Sequence, residues 1–228
     1  MLWNKINVDK EIILSETMYL EIESNVKLDI VVNSDINTKL VIISDSDYAI
    51  NVHLNQNSSL IVNSLNKDNS VNIKIDLLSK SSVTYNHSVI SNSYNSINKI
   101  TINHIENDSI SNINNSGVNI SDNKLFFTID GIINKKLCNI ICNQNSKIIN
   151  FKLGNSKIIP NLIIDSNDII ANHAAYIGEI NEEEKFYMQS RGIKEMDIKK
   201  IIYVATLLGK MDLADEKEEF NKRIDEWW

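Results

Sequence analysis

The sequence predicts a mainly β protein, a parallel β-helix core carrying a short C-terminal α-helical subdomain. Three observations support this. From about Met18 to Ile170, short apolar runs alternate with polar residues and return at roughly ten-residue spacing, the period of strands that bury one face. The turns between them are clusters of Asn, Ser, Asp and Lys. With six glycines, one proline and Asp130-Gly131 as the single tight-turn pair, the chain lacks the markers of a hairpin meander. After Asn181 the apolar period changes from that of a strand to that of a helix. Strand period alone admits a solenoid, a barrel or a sandwich, and the broad corners favour stacked parallel coils.

Taken in order, the strand candidates include Val26–Val32, Lys39–Ile43, Ala49–Leu54, Ser59–Val62, Val71–Leu77 and Lys124–Thr128. The abundant asparagine follows from biased base composition or from its tolerance of left-handed corners. Ile169, Ala171 and His173 end a β-type segment, and Asn181 is a good N-cap for a helix over Glu182–Arg191. Glu184 lies three residues on, the spacing of a capping box, while Glu182 and Glu183 favour the positive end of the helix dipole. Arg191 and Gly192 stop that helix. A second helix starts near Glu195, with Ile198, Ile201, Ile202, Ala205 and Leu208 as its apolar stripe. A third segment, Leu213 to Trp228, places Phe220, Ile224 and Trp227 on one face and is expected to fold back on the helical hairpin.

Composition narrows the function classes. A hydrophobic share of 43% supplies a core, and a net charge of -7 argues against a nucleic-acid surface, which needs clustered Lys and Arg. No window reaches the roughly 18 apolar residues of a membrane span. Met1-Leu-Trp-Asn-Lys-Ile is unlike a signal peptide, and the cytoplasm is the expected compartment. Two cysteines, Cys138 and Cys142, are too few for a disulfide framework. Gly209-Lys210 lacks the rest of a phosphate-binding loop, and no nucleophile elbow or His-Glu-x-x-His pair occurs. No catalytic constellation is visible.

The stretch from Asp168 to Ile193, with His173-Ala-Ala-x-x-Gly and then Phe186-Tyr-Met-x-Ser-Arg-Gly-Ile, resembles the C-terminal signature of the SufB/SufD family of iron-sulfur cluster assembly scaffolds. Asn143–Ile164, ending in Pro160-Asn-Leu-Ile-Ile, is similar to the family's upstream run. The likeness is specific from about Leu125 to Leu208. Ala171 stands where many members have cysteine, which points to a short SufD-like form; Ala174 replaces a glycine and Met188 a leucine. The resemblance implies a right-handed β-helix over residues 1–180 and an ATPase-docking helical subdomain over 181–228. It implies a non-catalytic scaffold that docks a SufC-like ABC-type ATPase through Phe186, Tyr187, Met188, Arg191, Gly192 and Ile193. The last strands would pair with a SufB-like scaffold or a second copy. No cofactor is expected to be held tightly, and a transient cluster at a subunit interface would involve His173.

Each candidate also has a plain structural reading. His173 matches the family histidine, and a neutral imidazole can ligate iron or accept a proton, yet with Ala171 removing the neighbouring thiol a histidine hydrogen-bonded at a junction is the favoured reading. Cys138 and Cys142, if in one regular strand, share a face about 13 Å apart, too far for one metal, and suit buried soft hydrophobes better than thiolate ligands. His53, His87 and His104 are expected to be structural. Phe186 and Tyr187 serve either a contact or internal packing. The competing class is a structural or adhesin-like β-solenoid whose helices cap its open end.

Overall fold

The computed structural model describes residues 2–151 and 154–227. Lys152 and Leu153, inside the upstream motif run, and Trp228, the end of the third predicted segment, lie outside the described residues. Eight strands form one parallel sheet: β1 (Asn4–Ile6), β3 (Met18–Ile22), β5 (Asn37–Ser44), β7 (Ser59–Lys67), β9 (Ser82–Ser91), β11 (Ile110–Asn119), β13 (Cys138–Asn150) and β15 (Asp168–Glu179). Seven form the other: β2 (Lys10–Leu14), β4 (Val26–Val32), β6 (Tyr48–Leu54), β8 (Val71–Leu77), β10 (Ser96–His104), β12 (Lys124–Ile133) and β14 (Asn155–Ile164). The chain alternates between the sheets, so each strand pairs in parallel with the one two places along. This is the predicted parallel β-helix.

Alternation explains the core. In β4, Val26, Leu28, Ile30 and Val32 are buried while Lys27, Asp29 and Val31 turn outward. Register stacks like positions, as in Leu20 beside Ile42 and Ile50 beside Ile73, so aliphatic rows from both sheets fill the lumen. Corners stack too. Asp35, Asn57, Lys80 and Asp108 all adopt left-handed backbone and donate their amides to Gln56, Ser79, Asn107 and Cys138 carbonyls of the next coil. Outward asparagines form a further set of rows. Asn86 donates to Asn63 and Asn114 to Asn86, and a parallel row links Asn172 to Asn143 to Asn112. Corner tolerance and cross-strand amide ladders together give asparagine a structural use throughout the solenoid.

The lumen of the later coils also holds buried polar side chains. His87 is buried between the Ser64 hydroxyl (2.9 Å from Nδ1) and the Asn98 Oδ1 (3.3 Å from Nε2), and Phe127 meets its ring edge-on. His104 sits between the Ser109 and Ser111 hydroxyls at 2.8 and 2.9 Å. Burial lowers the pKa of both to about 4 and keeps them neutral near pH 7. His53 lies 3.2 Å from Asp76, because β6 and β8 pair those two residues directly.

Three helices follow: α1 (Glu182–Ser190), α2 (Glu195–Leu208) and α3 (Lys217–Trp227). The second and third lie on the outer face of the eight-stranded sheet. Tyr203, Leu207, Phe220, Ile224 and Trp227 join Val41, Ile43, Leu65, Ile90 and Val118 in a second apolar cluster. Lys39 pairs with the buried Glu216, and Asn63 donates to the Asp212 carbonyl at 3.2 Å, fastening the α2–α3 connection to β5 and β7. The stripe expected on α2 is corrected. Ile198 and Leu208 are buried, but Ile201 and Ala205 are exposed, and Tyr203, Thr206 and Leu207 face the sheet instead. Helical spacing identifies two apolar faces on this helix, and the sheet selects the one whose neighbours continue onto Ile90 and Val118.

Candidate functional site at the open end

Two features meet where the solenoid stops. The first is its last coil. β15 repeats the inward pattern of β13, with Ile140, Cys142, Gln144, Ser146 and Ile148 of β13 beside Ile169, Ala171, His173, Ala175 and Ile177. The β13 residues are buried. Their β15 counterparts are half-buried or exposed, because among the described residues no strand of the opposite sheet lies beyond β14 to cover them. His173 is therefore exposed on the last rung, beside the buried Gln144.

The second feature is α1, which buries none of its residues. Asn181 caps it through Oδ1, accepting from the amides of Glu183 (2.8 Å) and Glu184 (3.4 Å). Its C-terminus closes as a Schellman motif: Gly192, at φ +83°, donates to Gln189 and Ile193 to Met188. Phe186 and Tyr187 stand 72% and 59% exposed, so they do not pack internally. The Arg191 guanidinium lies over the Tyr187 ring, 5.2 Å from its centre, and donates to the Tyr187 hydroxyl at 3.2 Å. Met188 and Ile193 are half-buried and Gly192 is exposed. Met196 and Ile201 add exposed apolar surface on α2.

The cysteines are placed differently from a regular strand. A register shift between Cys138 and Ile140, with Asn139 left-handed, breaks the alternation that would put Cys138 and Cys142 on one face. Cys138 is half-buried. Cys142 is fully buried with Ile133 and Ile140, and burial raises its thiol pKa despite a hydrogen bond from the Ser111 side. Gly131 is shaped to this filling. A Cβ there would come within 2.8 Å of Cys142 Sγ and 2.9 Å of Gln144 Nε2. Among the described residues no three His, Cys, Asp or Glu side chains group into a metal site. Of the β15 row Ile169, Ala171, His173, Ala175 and Ile177, His173 carries the one side chain of a metal-ligating type.

The fold and these features define a class: a parallel β-solenoid whose last coil is uncovered and whose first C-terminal helix buries none of its residues. A family model for the SUF system FeS cluster assembly SufBD core domain matches residues 10–206. The chain belongs to the SufB/SufD family. It is 34% identical over 61 residues to the iron-sulfur cluster assembly protein SufD of Escherichia coli (strain K12), covering 27% of this chain and 14% of that protein. It is 28% identical over 71 residues to an iron-sulfur cluster assembly SufBD family protein of Mycobacterium bovis, covering 29% of this chain and 18% of the relative. A SufBD family protein of Mycobacterium tuberculosis matches over the same shares. The matched segments thus span less than a fifth of these relatives. No helix of the described residues is long and apolar enough to cross a membrane.

Proposed function

We propose that this chain is a non-catalytic scaffold subunit of a SUF-type iron-sulfur cluster assembly complex, which docks a SufC-like ABC-type ATPase through α1. The observation that carries the proposal is the exposure of Phe186 and Tyr187 on a helix that buries nothing, inside the motif that links the chain to its family. A solvated helix gains nothing from two adjacent aromatic side chains, whereas a partner groove does, since such anchors supply most of the energy of an interface. The cluster would be cargo, built where the open end meets another subunit, with His173 as this chain's ligand or proton acceptor. Cys142 is sealed inside, and Cys138 lies at the far end of β13 from the helical handle.

The competing reading, a solenoid capped by its helices, is less well supported. The helices here lie along the flank of one sheet and leave the last coil uncovered.

Affinity capture with the ATPase subunit tests docking. Deleting all three helices would expose Val41, Ile43 and Leu65, so the informative variant is Phe186→Ala with Tyr187→Ala. Loss of capture with an unchanged melting temperature is expected. Undiminished capture by the double variant would reject the assignment.

A further inference from the structure

We propose that the lumen between β7 and β10 is a binding site for one ordered water, held by Asn69 Oδ1, Ser96 Oγ and Asn98 Nδ2 as a fixed part of the fold. The site lies inside the closed coils, away from the open end, and is independent of the docking assignment.

Two backbone carbonyls, which can only accept, set the orientation of the side chains around it. Asn66 directs its amide nitrogen to the Ser88 carbonyl at 3.3 Å and Asn69 directs its own to the Ser46 carbonyl at 2.8 Å, so the Oδ1 atom of each faces the other way. Asn66 Oδ1 accepts from the Tyr48 hydroxyl at 3.0 Å and from Asn69 Nδ2 at 3.3 Å. The Asn66 amide nitrogen also lies 3.4 Å from His87 Nδ1, and a ring nitrogen facing a donor is an acceptor. His87 therefore carries its proton on Nε2 and donates it to Asn98 Oδ1 at 3.3 Å. That bond points Asn98 Nδ2 away from the ring.

Three buried atoms are left over. Among the described residues, Asn69 Oδ1, Ser96 Oγ and Asn98 Nδ2 have no hydrogen-bond partner, although the exposure of their residues does not exceed 1%. They are neighbours. The Ile97 amide donates to Ser70 Oγ at 3.1 Å, and the pairing of Lys99 with Asn72, carried back along both strands, sets Ser96 beside Asn69. Asn98 faces inward on the same strand as Ser96, about 7 Å further along β10. The chemistry of the three atoms selects the ligand. Asn69 Oδ1 only accepts, Asn98 Nδ2 only donates and the Ser96 hydroxyl does either, a set that a water completes with its own two donors and its lone pairs. A cation would meet the Asn98 N–H groups, and an anion would meet the Asn69 oxygen. Ser96 also makes the room, since its side chain is shorter than those of Asn69 and Leu125 on either side of it in the row.

Magnetic relaxation dispersion of water oxygen, recorded on the full chain, counts the waters that stay bound while the molecule tumbles. Ser96→Val removes the hydroxyl and fills the space, and it is expected to hold a single water fewer than the wild type with its β-sheet circular dichroism unchanged. An equal count overturns the proposal. Should Ser96→Val lose its fold, a crystal structure of the wild type decides: one density peak within hydrogen-bond distance of all three atoms is expected, and no peak there overturns the proposal. A proton on His87 Nδ1, read from the ring nitrogen shifts, overturns it as well, because Asn98 would then turn its oxygen toward the site.

Discussion

β13 and β15 carry the same alternation one coil apart and meet opposite fates. Ile148 and Ile177 are register partners on neighbouring strands; the first has no exposed surface and the second is 43% exposed. Nothing in their local chemistry differs. What differs is the cover, because the sheet opposite β13 continues to β14 and the one opposite β15 does not. An isoleucine pattern that is core in one coil is left exposed in the next, so an identical sequence signal has two outcomes decided by position in the stack.

The sharpest way to break this comparison is to truncate both partners. Ile148→Ala removes fully buried methylenes and should cost about 2–5 kcal/mol in urea unfolding, whereas Ile177→Ala should cost under about 1 kcal/mol in the monomer. Equal costs would mean that β15 is covered in the free chain.

Next in size is the acid sensitivity of the lumen. His87 and His104 have folded pKa values of about 4 against an ordinary 6.5. Above the ordinary value both states are neutral and neither residue affects pH dependence. As pH falls from 6.5 toward 4, the unfolded chain takes up protons that the fold refuses, and stability drops by roughly 2–3 kcal/mol per histidine. Chemical denaturation across this window should show the loss, and His104→Gln should abolish about half of it.

Gly131→Ala sharpens the same contrast by overfilling the coil beneath the open end. Its new methyl meets Cys142, Gln144 and Leu162, so a loss of about 1–3 kcal/mol is expected by thermal melting. Smallest is Asn181→Ala, which should cost about 1 kcal/mol or less. That loss would be read as faster amide exchange in α1, because it frees the amides of Glu183 and Glu184.

Much of this was legible in the sequence where side chains alone decide. Val26–Val32 and Val71–Leu77 are strands with the expected bounds, since every inward position is aliphatic. Asn181 and Gly192 mark the ends of α1 because their roles are local. β9 and β11 were obscure because His87, Ser111 and Asn115 are polar residues facing inward; His87 and Asn115 find Ser64 and Ser146 on neighbouring coils, and Ser111 meets His104 across the corner from β10. For the same reason the His53–Asp76 pair and the break at Asn139 went unseen. His173 was singled out by resemblance, but its exposure depends on the absence of a facing strand, a property of the whole stack. The stripe on α2 failed for a related reason: with apolar residues on two faces, only the sheet determines which one is buried.

The central claim, that the last coil is uncovered in the free chain, is tested most directly by amide hydrogen exchange along β15. Ala171, His173 and Ala175 point their amides at the free edge, while Asn172 and Ala174 bond to β13. The odd-numbered amides should exchange fast and the even-numbered ones slowly. Equal protection of both sets in the free chain would contradict the account.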